Sequence, residues 1–256
     1  MIAALTPTSD DGPKMLLGFI HGYLDAATAW QPVIDRLPAD DVAVAVDLSP
    51  AADNSTPAHT LESYADQVIE AVQRFQGRRG LPVVVVGHSM GGPIAELAAV
   101  RLGAALAGLV LVVPAPLAGY PLSADQRSAW EARAAGRDAE SARAGKCALD
   151  RHLSQKALDI LVAATMSTDP RFAIEQLRAW VGGHPAGRER SKVEAPVLVL
   201  TSDDTFFSHD FLSEQARRFS DVRIVRIEGA GHWVHLERPD ETTACIVKFI
   251  ATLRAR

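Results

Sequence analysis

Residues 83–92 read VVVVGHSMGG, and this stretch restricts the possible fold more than any other. Four consecutive valines leave a strand with no polar face, which suits a parallel sheet covered on both sides. The run stops at Gly87. His88, Ser89, Met90, Gly91 and Gly92 then lead into Ile94, Leu97, Ala98 and Leu102, which recur at helical spacing. The pattern predicts strand, sharp turn and helix, with Gly103 at the C-terminal cap. Gly87 and Gly91 flank the serine as G-x-S-x-G, a strained corner that exposes a serine hydroxyl. Strand and helix backbones approach so closely at such a corner that a Cβ on either glycine would clash. A serine N-cap alone would not call for the second and third glycines.

The rest of the chain fits the same architecture. Further β-rich runs lie at 15–20, 42–47, 109–113, 197–201 and 222–227. Between them come apolar stripes at helical spacing: Trp30, Val33, Ile34 and Leu37; Leu61, Tyr64, Val68, Val72 and Phe75; Ile246, Phe249, Ile250 and Leu253. Alternation of this kind predicts an α/β fold with a mostly parallel, doubly wound sheet. It breaks once, between residues 114 and 195, where Ala-, Arg- and Glu-rich helix formers replace strands. That stretch is too long for a loop, so it reads as a helical cap inserted into a core of residues 1–113 and 196–256. At 256 residues and 48% hydrophobic, the chain has material for a sizeable core.

Composition narrows the partners. Net charge is −5, without like-charge blocks, which gives no electrostatic footprint for nucleic acid or an anionic membrane. Cys147 and Cys245 are far apart, as expected of a reducing compartment. The opening MIAALTPTSDDGPK lacks a basic n-region before an apolar core, and no apolar run reaches about 18 residues. A soluble, cytoplasmic protein with a small-molecule substrate is expected, its oligomeric state left open. No G-x-G-x-x-G follows a strand, so no nucleotide cofactor is expected. His232 and His235 form H-x-x-H without a third ligand at suitable spacing, so no metal is expected either.

A serine needs a base and an anion-stabilising pocket to act as a nucleophile. The best base is His232 in EGAGHWVHLE, on a glycine-softened loop after the last strand. For the pocket, the first long strand ends in Phe19-Ile20-His21-Gly22-Tyr23, which leaves the Tyr23 N–H free to face an oxyanion. The Met90 N–H, at the start of the following helix, would be the second donor. His21 reads as a buried histidine that shapes its own loop, and His88 as packing beneath the turn. His59, His152, His184 and His209 read as solvated.

In order and spacing, LLGFIHG, GHSMGG and GAGHWVHLERP resemble the α/β-hydrolase superfamily, in its capped branch, over nearly the whole chain. The resemblance implies a nucleophile at Ser89, a base at His232 and oxyanion donors at Tyr23 and Met90. It also implies an acid after the strand that precedes the histidine, three residues past a glycine. Here Ser202 replaces that glycine and strict register lands on Thr205; Asp204 is one residue early and Asp203 two. A shortened turn would bring Asp204 into place. Asp203 and a dyad without an acid stay open. The family loop D-x-x-G-x-G-x-S is replaced by Asp47-Leu-Ser-Pro-Ala-Ala-Asp-Asn-Ser55, without glycines, and the first antiparallel strands are expected to be abbreviated.

Tyr23, Leu24, Trp130, Trp180, Phe206, Phe207 and Trp233 are the candidates for lining a pocket, which suits an apolar or aromatic substrate. No cluster of Arg or Lys sits beside the catalytic motifs to bind a phosphate or a coenzyme A moiety, which disfavours thioester substrates. The reading is a serine hydrolase for carboxylic esters or lactones. Cofactor-free chemistry of another type on the same scaffold, such as C–C hydrolysis, perhydrolysis or base-only catalysis, is the first alternative. A non-catalytic ligand-binding protein is the second.

Overall fold

The computed structural model describes residues 3–5, 15–48, 59–76 and 80–255. Among these residues seven strands form one sheet: β1 (Ala3–Leu5), β2 (Leu16–Ile20), β3 (Val42–Val46), β4 (Val83–His88), β5 (Leu106–Val112), β6 (Val197–Thr201) and β7 (Val222–Arg226). Their order is β1-β3-β2-β4-β5-β6-β7. Among the described residues only β1 pairs antiparallel, with β3; it spans three residues at the edge of the sheet. β2, β3, β4 and β6 are buried at every position, as their unbroken apolar sequences require. β7 closes the other edge, and its Arg223 and Arg226 put charge where a further strand would otherwise add.

Among the described residues ten α-helices accompany the sheet: α1 (Gln31–Ile34), α2 (Leu61–Gln76), α3 (Gly91–Leu102), α4 (Ala124–Ala135), α5 (Ala139–Cys147), α6 (Gln155–Ser167), α7 (Pro170–Gly182), α8 (His209–Ala216), α9 (Val234–Glu237) and α10 (Pro239–Arg254). α4 to α7 fill the long interval between β5 and β6. Their starts are written in the sequence: Ser123 and Asp138 form capping boxes, and Ser154 and Asp169 cap α6 and α7 through their side chains. Trp30, Val33, Ile34 and Leu37 do not share a long helix. A 3-10 turn over Ala27–Trp30 passes into the single turn of α1, which tightens into bonds from Arg36 N to Val33 O and Leu37 N to Ile34 O before Pro38.

The chain runs from β2 outward to β3 and then returns to place β4 on the other side of β2. Strand order therefore reverses between β2 and β4, and the loops that leave their carboxyl ends open onto a crevice. His21–Asp25 and Ser89 lie there. No helix among the described residues is long and apolar enough to cross a membrane. Both cysteines are free thiols. The segment after β3 that lacks the family glycines lies, from residue 49 to 58, outside the described residues.

Candidate active site

Ser89 joins β4 to α3 with φ of 51°, a left-handed conformation that costs a non-glycine residue about 1 kcal/mol or more. Its backbone is over-determined. The N–H donates to Val112 O at 3.1 Å, and the carbonyl accepts from Gly92 N at 2.8 Å and Ala115 N at 2.9 Å. The flanking glycines are required by contact. A Cβ on Gly87 would run into the Gly91 backbone and lie 2.8 Å from the Ala95 Cβ. One on Gly91 would lie 2.6 Å from Ile20 O and 2.8 Å from His21 O.

His232 Nε2 lies 3.0 Å from Ser89 Oγ, and His232 Nδ1 lies 2.9 Å from Asp204 Oδ2. A carboxylate only accepts, so Nδ1 carries the proton and Nε2 is left to accept from the serine hydroxyl. The irregular turn after β6 is closed by Ser202, whose Oγ donates to Gly231 O at 2.7 Å and accepts from Asp204 N at 3.2 Å. Asp204 Oδ1 accepts from Phe206 N and Oδ2 from Phe207 N, each at 3.0 Å. Burial pushes the Asp204 carboxyl up, but the bonds from His232 and these two N–H groups outweigh it and hold its pKa below the ordinary value. Asp203 points elsewhere, accepting from Arg226 Nη2 and Gly229 N, each at 2.7 Å.

The backbone of His232 is held from two directions. Its N–H donates to Leu149 O at 2.9 Å, and its carbonyl accepts from His88 Nε2 at 2.9 Å. Burial, followed by His235 and His232, keeps the His88 pKa well below the usual range. Glu237, which sequence reasoning missed, accepts from Gly231 N, Arg151 N and His152 N on one carboxylate oxygen, each at 2.9 Å. It ties the histidine loop to the segment after α5. His235 lies in the core, its ring stacked on Trp30 with centroids 4.3 Å apart.

Tyr23 and Met90 flank this arrangement, one after β2 and the other at the start of α3; no hydrogen bond among the described residues engages either N–H. His21 is satisfied in its own loop: Nδ1 donates to Gly22 O at 2.8 Å and Nε2 accepts from Leu48 N at 3.1 Å. Burial lowers its pKa, which suits that neutral form. The four histidines read as solvated divide. His152 is exposed. His59 instead stacks on Tyr64, His184 faces Glu62, and His209 bonds Thr201.

A cavity of about 400 Å3 opens beside Ser89 and His232. Tyr23, Leu24, Trp130, Trp180, Phe206, Phe207 and Trp233 all line it. Trp130 and Trp180 pack against each other at 6.0 Å and Phe206 against Phe207 at 4.7 Å between ring centroids. The same wall corrects the expectation that no cationic cluster reaches the site, because Arg133, Arg137 and Lys146 also line it. They are absent from the sequence around the motifs and arrive on α4, the link after it and α5. Asp25, another residue missed, accepts from Lys146 Nζ at 2.6 Å and Trp233 Nε1 at 3.1 Å. Burial pushes the Asp25 carboxyl up, and Lys146 and Trp233 more than reverse that.

A model described as the alpha/beta hydrolase family matches residues 19–244. The sn-1-specific diacylglycerol lipase ABHD11 of Mus musculus is 26% identical over 207 residues, which cover 75% of this chain and 67% of that protein. The esterase YbfF of Escherichia coli is 22% identical over 199 residues, covering 76% and 78%. Among solved structures, a thermophilic esterase from Thermogutta terrifontis superposes with a TM-score of 0.76 at 20% identity, over 99% of both chains, which speaks for the fold alone.

Proposed function

Because the chain belongs to the alpha/beta hydrolase family, we propose that it is a serine hydrolase for a carboxylic ester or lactone of a small apolar or aromatic substrate. The observation that carries this reading is the unbroken line from Asp204 through His232 to Ser89, ending at a cavity. In this reading Ser89 Oγ attacks the carbonyl carbon while His232 Nε2 takes its proton, and Asp204 stabilises the imidazolium that forms. The Tyr23 and Met90 N–H groups receive the oxyanion, a role each fills for about 100- to 1,000-fold in rate. His232 returns the proton to the leaving alcohol, and the same base then activates water to release the acyl group.

The names of the two relatives, a lipase and an esterase, support ester chemistry. The inserted helices, within residues 114–195, act as the cap that walls the substrate cavity over a core of residues 1–113 and 196–256. Asp204 seated on His232 supports acyl-enzyme chemistry over base-only catalysis, which relies less on a full triad. Hydrolysis of a panel of 4-nitrophenyl esters and aryl lactones tests the proposal. Turnover is expected in the wild type and its loss in both Ser89→Ala and His232→Ala. Turnover that survives in Ser89→Ala would point to base-only chemistry instead.

A further inference from the structure

We propose that the substrate carries a carboxylate, held against the inserted helices by Lys146, Arg137 and Arg133. The proposal rests on the serine-hydrolase reading and names the substrate class of that same cavity. Its ground is an imbalance of charge. Among the described residues three cations line the cavity and one carboxylate, Asp25, does so, and Lys146 already neutralises it. Neither of the other two, Arg133 and Arg137, forms an ion pair among the described residues, on a chain whose net charge is −5. A cleft lined by one sign of charge, within low-dielectric aromatic walls, focuses its field and gathers ligands of the opposite sign.

Each cation has donors to spare. The Lys146 side chain is only 9% exposed, and Asp25 Oδ1 is its one hydrogen-bond partner among the described residues. Its ammonium also sits 4.8 Å from the Trp233 ring centroid. Two of its three N–H groups thus have no hydrogen-bond acceptor among the described residues, a cost that an anion bound in the cavity Lys146 lines removes. Arg137 donates to the carbonyls of Thr165, Ala134 and Thr168, which spends three of its five N–H groups. That bonding fixes the guanidinium against the ends of α4 and α6, and no carboxylate lies within ion-pairing distance of it among the described residues. Arg133 is exposed on the last turn of α4 with no hydrogen bond or ion pair among the described residues. Two other arginines of the same insertion are paired, Arg143 with Asp159 at 2.6 Å and Arg178 with Glu131 at 2.7 Å.

The position relative to Ser89 sets the kind of molecule. A Cβ on Gly22 would lie 2.9 Å from Asp25 Oδ2 and 3.1 Å from the Ser89 Cβ, so Asp25 is the serine's near neighbour across Gly22. Lys146 is one carboxylate further on. A short chain spans from the scissile carbonyl to this cationic wall, while the aromatic side takes the apolar remainder. A half-ester of a dicarboxylic acid has that form, and guanidinium and ammonium donors both suit a carboxylate.

The test compares mono-4-nitrophenyl adipate with 4-nitrophenyl heptanoate, matched in length and different in charge. At low salt, kcat/KM for the acid is expected to exceed that for the neutral ester by about tenfold or more. The ratio should shrink at about 0.5 M salt, where screening is short-ranged. Arg133→Glu, at an exposed position without partners, should lower the ratio at least about fivefold by reversing the local charge. Asp25→Asn combined with Lys146→Met, which leaves no charge buried alone, should lower it as well. Cleavage of the neutral ester with no preference for the acid, or a ratio indifferent to salt and to Arg133→Glu, overturns the inference and leaves the serine-hydrolase reading standing. If neither ester is cleaved and Ser89 resists a fluorophosphonate, that reading itself fails and takes the inference with it.

Discussion

The two adjacent aspartates after β6 show how one residue of register decides a role. Asp204 is buried and bonded to His232, whereas Asp203 is on the rim, where Arg226 and the Gly229 N–H hold its pKa down. Asp204→Asn leaves the shape but replaces a charged acceptor by a group that no longer stabilises the imidazolium. It is expected to lower kcat on a neutral ester by about 1,000- to 10,000-fold. Asp203→Asn breaks an exposed ion pair and should cost less than about threefold, since such pairs contribute about 0–1 kcal/mol. Comparable losses in the two variants would reassign the acid. The sequence put Asp204 one residue short of the family register; what it left open is the turn itself, closed by Ser202 Oγ on Gly231, a partner 29 positions away.

At the scale of elements, the unit that makes the site is β4, the Ser89 corner and α3. Gly87→Ala pushes a methyl group into the Gly91 backbone and is expected to destabilise by about 3 kcal/mol, read as a lowered denaturation midpoint. An unchanged midpoint would mean that the corner is looser than described. This unit was legible because its signals are local: four valines, three glycines and a helical stripe within 20 residues. The core strands were legible for the same reason, being apolar throughout. Less could be read where long-range contact decides the outcome. Trp30 to Leu37 has helical spacing, yet packing against β2 and His235 leaves it a 3-10 turn and one helical turn. The Lys146–Asp25 pair spans 121 residues, and nothing in the sequence near the catalytic motifs announces it.

Across the whole molecule, the inserted helices and the sheet meet at His232. Leu149 O holds its N–H, Glu237 binds its loop to residues 151 and 152, and Lys146 reaches down to Asp25. Beneath that junction His88 and His235 are fully buried, and burial pushes the His235 pKa down to about 3. In the unfolded chain both imidazoles titrate near 6.5. Below that pH the unfolded state takes up protons that the folded state refuses, so stability falls as pH drops from about 6.5 toward about 3. The slope contributed is up to about 1.4 kcal/mol per pH unit for each histidine. His235→Phe keeps the stack on Trp30 and removes one such group, so its midpoint should fall less steeply between pH 6 and 4; a slope equal to wild type would contradict that. The most direct test of the central claim is the intact mass of wild type and Ser89→Ala after exposure to small fluorophosphonates. One adduct per chain on the wild type alone is predicted. A wild type that stays unlabelled, or a Ser89→Ala variant labelled equally, would contradict an activated serine at the end of β4.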